Sequence, residues 1–440
     1  MKTSILICML AVLSLVSGCI LPLERPGKNG FEKVLVIYSN GYNSLSPYLY
    51  SDILELQTGW IPEKNSDRAL LLISHLSRSS SDFSTQTTPV LVRMYMDKRE
   101  RLVMDTLSVY SSDMNLGDAS SLGSILQEVK KDFPSEHYGM LLSSHASGWI
   151  PKGYFSYPER YDNAYNSANG SMSARRAAAA VNNMDGAVPY REEETSRRAI
   201  PVKSFSVTNR RDSSGKLLSY EMTCQELAEA IPFHLDYLLI DACLMGGIEV
   251  AYDLKDVTDM IVFSQAEVLA EGFNYETLTT HVLESDRNDV IAVADDYYQQ
   301  YANKRDEYER SATISVVDTK KLDAVANACA SIFSKYRTQI ASLDPNEVQR
   351  FYRSYHHWYY DLRDIVVKCG ASQSDIDALD RALRNCVVYS GATEYFLKGE
   401  GGFKVTSFSG FSMYLPCNGS RYLDDFYRTL AWNKATKLVE

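Results

Sequence analysis

The run Leu238-Leu239-Ile240-Asp241-Ala242-Cys243-Leu244-Met245-Gly246-Gly247 constrains this chain more than any other segment. It reads as a buried apolar strand that ends in a thiol and a Gly pair. Open α/β sheets carry their functional groups at the carboxyl ends of strands, which is where Cys243 falls. A second apolar strand, 138–142, ends in Ser143-Ser144-His145-Ala146-Ser147-Gly148-Trp149. A thiol and an imidazole delivered in the same way suggest a cysteine nucleophile with its acid/base partner. His145 is the candidate partner because it reads as the only histidine at the end of a core strand.

Strands and helices alternate along the rest of the chain. Strands are expected at 33–38, 90–96, 260–264, 313–318 and 411–415. Helices are expected at 45–57, 120–133, 223–231, 247–254, 290–301, 321–337 and, as one long helix, 346–368. Residues 69–76 fit a strand or a helix equally. Thr223 and Glu226 stand at capping-box spacing. The alternation implies an α/β fold with a mostly parallel central sheet and helices on both faces, followed by a C-terminal helical extension. The expected division is a signal peptide over 1–18, a tether over 19–30, a core over 31–320 and a C-terminal subdomain over 321–440 packed on it.

Residues 150–215 break the alternation. They are rich in Tyr, Asn, Ser, Arg and Ala, and only 177–181 suggests a short helix. So long a stretch between core strands reads as a functional or disordered linker. Three basic pairs lie in it: Arg175-Arg176, Arg197-Arg198 and Arg210-Arg211.

At the N-terminus, Lys2 precedes an apolar run over 5–16 that is too short for an ordinary membrane span. Leu15-Val16-Ser17-Gly18-Cys19 matches a bacterial lipobox, with cleavage before Cys19 and lipid on its sulfur. More than one acyl chain anchors a protein stably. The expectation is a soluble body tethered to the bacterial cell envelope at the outer membrane, facing the periplasm or the surface. A plain secretory signal with an incidental cysteine is the alternative. The net charge of −11 argues against a nucleic-acid partner. Of the 8 cysteines, those beyond Cys8 and Cys19 lack the close spacing of a zinc or redox motif. Oligomeric state is not legible.

Asp241 and Cys243 are two apart on a strand and share a face. A carboxylate one step below the nucleophile could bind a basic substrate side chain, with Glu267 and Glu271 adding negative charge from the loop after the next strand. Asp241 could instead cap the helix starting near Gly247 or pair with a structural Arg. Glu271 and the Arg pairs could be solvated loop charges. The backbone N–H groups of Cys243 and Ala146 are the candidate oxyanion donors. His356 and His357, amid aromatic residues, read as structural members of the long helix.

These residues resemble the clostripain family of cysteine peptidases, which are caspase-like enzymes related to gingipains and legumain. The resemblance is specific at Asp241-Ala242-Cys243-Leu244-Met245-Gly246 with Glu249-Val250-Ala251-Tyr252, and good at His145 with Gly148-Trp149. It implies a caspase-like three-layer α/β sandwich, a His145/Cys243 dyad, and cleavage of proteins or peptides after Arg or Lys with Asp241 and Glu271 in the pocket. It also implies self-cleavage at a basic residue of the linker and calcium as activator, although the chemistry itself requires no cofactor. No calcium loop of recognisable spacing is present. Ala146 stands where the family usually has Gly, and a strained backbone there would cost more with Ala. A caspase-like peptidase with a non-basic preference and a catalytically degenerate binding lipoprotein are the rival readings.

Overall fold

The computed structural model describes residues 30–77, 87–168, 187–189, 208–211, 217–353, 357–399 and 401–440. Cys19, Arg175, Arg176, Arg197, Arg198 and the expected helix over 177–181 lie outside them.

The first half supplies β1 (Phe31–Gly41), β2 (Arg68–Leu76), β3 (Val90–Met96), β4 (Leu102–Val109) and β5 (Ser135–Ser143). The short strands β6 (Ala187–Pro189), β7 (Thr208–Arg211) and β8 (Leu217–Tyr220) form a separate sheet in the order β6-β8-β7, so the backbone of Arg210 and Arg211 is in a strand. The second half supplies β9 (Leu235–Asp241), β10 (Thr258–Phe263), β11 (Thr313–Asp318), β12 (Tyr360–Asp361), β13 (Val387–Ala392), β14 (Tyr395–Phe396), β15 (Phe403–Lys404) and β16 (Ser412–Met413). The central sheet has 9 strands in the order β13-β11-β10-β9-β5-β1-β2-β3-β4.

The expected parallel arrangement holds for the middle of that sheet. β10, β9, β5, β1 and β2 run parallel, and antiparallel strands finish both edges, β11 and β13 on one side and β3 and β4 on the other. Burial follows this order. β1 is buried at all but one position, whereas β4 at the edge has no buried residue. A strand covered on both faces needs a nearly continuous apolar run, and β1, β2 and β9 have one. The ambiguous 69–76 segment is β2, held between β1 and β3.

Helices cover the sheet for reasons visible in their sequences. In the helix Ala119–Asp132, Leu122, Ile125, Leu126 and Val129 are buried at helical spacing. Asp118 caps its first turn by accepting from Ser121 N–H, and Lys130 and Lys131 sit in the last turn, where cations complement the helix dipole. The helix Cys224–Ala230 opens with the expected Thr223/Glu226 capping box.

The long helix expected at 346–368 does not form. Among the described residues of that range, a 3-10 turn at Pro345–Glu347 and the short strand β12 precede the helix Leu362–Lys368, and no other part is helical. The Asp361 carboxylate caps that helix by accepting from Asp364 N–H at 2.8 Å. His357 to Asp361 are all buried, and a surface helix cannot bury five consecutive residues. His357 therefore lies outside any helix, its ring 4.6 Å from that of Tyr360, and His356 lies outside the described residues. The C-terminal part is more than a helical extension. It contributes β13 to the central sheet, and the helices Leu322–Ile340, Gln373–Cys386 and Ala431–Thr436 pack together beside it.

Candidate active site

β5 and β9 are neighbours, parallel, and in register with Ser143 opposite Asp241. His145 and Cys243 each lie two residues beyond that pair. The two strands therefore deliver an imidazole and a thiol to the same edge of the sheet at the same height. Both are almost fully buried, His145 at 4% exposure and Cys243 at 2%.

The chain turns sharply on either side of these residues. Leu244, directly after the thiol, has a left-handed backbone at φ 62°. A non-glycine residue seldom adopts this without surrounding support. The support is visible: Leu244 N–H donates to Ala266 O at 2.9 Å, Gly246 N–H to Ser264 O at 2.7 Å, and Ser412 N–H to Gly246 O at 2.8 Å. In the histidine loop Gly148 has φ 63°, and a Cβ there would lie 2.6 Å from Leu244 O. Glycine is what lets the two loops touch. Ala146 is not among the residues with positive φ, so alanine brings no left-handed strain at that position.

Cys243 Sγ accepts from Val268 N–H at 3.1 Å and lies 3.7 Å from Val268 O. The N–H is an arrangement suited to a sulfur carrying negative charge. Nε2 of His145 is 3.1 Å from Ser44 Oγ, on the turn after β1. The hydroxyl of fully buried Tyr359 donates to Ser147 O at 2.7 Å and pins the histidine loop from the C-terminal side. Sequence reasoning missed Ser44, Val268 and Tyr359. The turn carrying Ser44 is recognisable as a turn, but nothing local says that it faces His145.

A second histidine also ends a core strand, which corrects the expectation that His145 stands alone. His75 is on β2 opposite Asn40 of β1, so two strand positions separate it from β5. Its ring stacks on Tyr42 at 4.5 Å, and burial pushes its pKa down to about 4. It is a neutral core histidine.

The three candidate pocket carboxylates have different surroundings. Asp241 is fully buried, and Oδ2 accepts from Tyr275 OH at 2.7 Å and Ser143 Oγ at 3.3 Å. Burial and then the Asp241 charge hold the Tyr275 phenol well above its usual range, so it stays a donor. Asp241 does not cap the helix Ile248–Leu254, whose N-cap is Gly247 with no side-chain cap bond. Glu267 is 2% exposed and forms an ion pair with Arg353 Nε at 3.1 Å. Glu271 is exposed and bound to Lys304 Nζ at 2.5 Å. Behind the loop that follows Cys243, Glu249 is fully buried, and Oε1 accepts from Tyr414 N–H at 2.8 Å and Tyr427 OH at 2.7 Å. Burial raises its pKa to about 7.

Among the described residues no group of three or more His, Cys, Asp or Glu side chains is arranged to hold a metal ion. Cys224, Cys243, Cys329, Cys369, Cys386 and Cys417 are all free thiols.

A mixed sheet that carries a cysteine and a histidine on the tips of neighbouring parallel strands defines the class of caspase-like cysteine hydrolases. The sequence model of the clostripain family, peptidase C11, matches residues 37–172 and 217–439. The chain belongs to that family of cysteine proteases. An inactive zymogen C11 protease from Parabacteroides distasonis superposes at a TM-score of 0.68 with 22% identity, covering 93% of this chain and 99% of that one. A secreted C11 cysteine protease from Bacteroides thetaiotaomicron, iotapain, gives 0.68 at 23% identity, covering 92% and 99%. A secreted C11 cysteine protease of the same organism, in complex with an irreversible peptide inhibitor, gives 0.68 at 21%, covering 92% and 98%. At these identities the likeness establishes the caspase-like fold. No curated protein matches the chain.

Proposed function

We propose that this protease is an endopeptidase that cleaves after Arg, and second after Lys, with His145 and Cys243 as its dyad. The observation that supports the dyad is the register of β5 and β9, which pairs Ser143 with Asp241 and so brings residues 145 and 243 to the same edge of the sheet, each two positions further on. Cys243 Sγ attacks the carbonyl carbon as its proton passes to His145. The oxyanion is held by the backbone N–H groups of Cys243 and Ala146. His145 then gives the proton to the leaving amine, and a thioester remains. Water attacks the thioester and loses a proton to His145, the acid product departs, and the thiol is regenerated. Ser44 keeps the imidazole oriented.

Asp241 is the first carboxylate for the substrate's basic side chain, with Glu271 and Glu267 around the approach. The Arg pairs at 175–176, 197–198 and 210–211 are the proposed sites of self-cleavage, and Cys19 the proposed lipid attachment that holds the protease in the bacterial envelope. Calcium remains a proposal from family resemblance alone, and no step is assigned to it.

The test compares the full chain with Cys243→Ala on fluorogenic peptidyl-Arg, peptidyl-Lys and peptidyl-Asp substrates, with and without calcium, followed by intact mass. The expected result is turnover in the order Arg, Lys, with none for Asp, and fragments between residues 150 and 215 in the wild type only. Turnover of peptidyl-Asp alone would replace the basic preference. Absence of any turnover would favour a binding lipoprotein.

A further inference from the structure

Glu267 is one residue from Val268, whose N–H touches the nucleophile, yet its carboxylate already faces a guanidinium from the same chain. Arg353 comes from the C-terminal part, 86 residues further on, and is 27% exposed at its side chain. Its approach is fixed. Phe351, two residues before it, is fully buried and donates N–H to Tyr359 O at 2.9 Å, and the Tyr359 hydroxyl is bonded to Ser147 in the histidine loop. The stem carrying Arg353 is thus tied to the loop that carries His145. Burial works against the charge on Arg353, but Glu267, followed by Tyr352, Tyr308 and Cys243, holds its pKa above the usual arginine range.

We infer that Arg353 is a built-in competitor for the basic side chain of the substrate, occupying the Glu267 carboxylate beside Cys243 and so setting how tightly an arginine substrate binds. The inference rests on the proposed preference for basic residues. A buried carboxylate holds a guanidinium through charge-assisted bonds of fixed geometry, and a second guanidinium gains the same bonds only after the first has left. Arg353 therefore raises the KM for arginine substrates selectively. A substrate with a neutral isostere, citrulline, makes no claim on Glu267 and does not sense the competitor.

The experiment uses the full chain and the variants Arg353→Ala, Arg353→Gln and Arg353→Ala/Glu267→Gln, with agmatine as a free guanidinium probe. Folding is checked by circular dichroism, and Arg353→Gln stands in if the alanine variant does not fold. Binding of agmatine by calorimetry is expected to be about tenfold tighter in Arg353→Ala than in the wild type, and no tighter than the wild type in the double variant. The KM for peptidyl-Arg is expected to fall about tenfold with kcat retained, the equivalent of one charge-assisted bond, while peptidyl-citrulline is unchanged. Agmatine binding no tighter in Arg353→Ala than in the wild type, equal KM shifts for both substrates, or loss of kcat at constant KM would each overturn the inference. If the wild type turns over no arginine substrate, the peptidase reading fails, and agmatine binding still decides whether the Glu267 carboxylate is a guanidinium site held by Arg353.

Discussion

The roles proposed for Cys243 and His145 depend on the neighbours that fix them. The Ser44 hydroxyl beside Nε2 is the neighbour with the least structural duty, since it is half-buried on a turn. Ser44→Ala is expected to lower kcat about fivefold at constant KM, the rate equivalent of a single neutral hydrogen bond of about 1 kcal/mol. Steady-state kinetics on a peptidyl-Arg substrate reads this directly. Gly148→Ala is a harsher change. Its φ of 63° disfavours any Cβ, and that Cβ would meet Leu244 O at 2.6 Å. A loss of about 1–3 kcal/mol in stability is expected, with activity falling further as the two loops separate. Thermal melts of wild type and variant check the first part. At this scale the sequence was informative where a residue type has little choice: a thiol and an imidazole ending apolar runs announce themselves. Ser44 and Arg353 are ordinary residues made special by partners about a hundred positions away, and no local pattern marks them.

The helix Ile248–Leu254 follows the Cys243 loop and buries a carboxylate, Glu249, whose pKa burial raises to about 7. Its folded pKa of about 7 lies above the ordinary glutamate value of 4.5, so the folded protein binds the extra proton between those pH values. The stability from this group is therefore complete below about pH 4.5, declines as pH rises and is gone above about pH 7. The full effect is on the order of 3 kcal/mol. Asp253, one turn later and raised to about 6 by burial, adds to the same trend. Glu249→Gln is expected to flatten the fall in melting temperature between pH 5 and 7.5 and to be the more stable chain at pH 8. A variant as pH-sensitive as the wild type would refute the assignment. Elements with a clear period were legible, including the capping box at Thr223. The stretch around Tyr359 was not. Its aromatic residues satisfy a helical pattern, but burial on every side and pairing of β12 with β16 override it.

The molecule as a whole binds its active site to its last hundred residues. β13 pairs with β11 in the main sheet, Tyr414 and Tyr427 hold Glu249, and Ser412 reaches Gly246. A chain ending at residue 340 is expected to be insoluble or to lack activity, although both proposed catalytic residues lie in what remains. Expression followed by active-site titration tests this, and a soluble, fully active fragment would show that the C-terminal part is dispensable. The central parallel strands were readable because strands buried on both faces need unbroken apolar runs. The antiparallel edges were less so, since β4 and β13 are half-exposed and mixed in composition.

The bond from Ser412 to Gly246 also has a meaning in time. Synthesis runs from the N-terminal side, and the strand that completes the loop after Cys243 is made 166 residues later than Gly246. Until then the loop beyond Cys243 lacks its bond from Ser412, and Glu249 lacks its donors Tyr414 and Tyr427. A growing chain of this design contains its thiol before the structure that holds the loop in place exists.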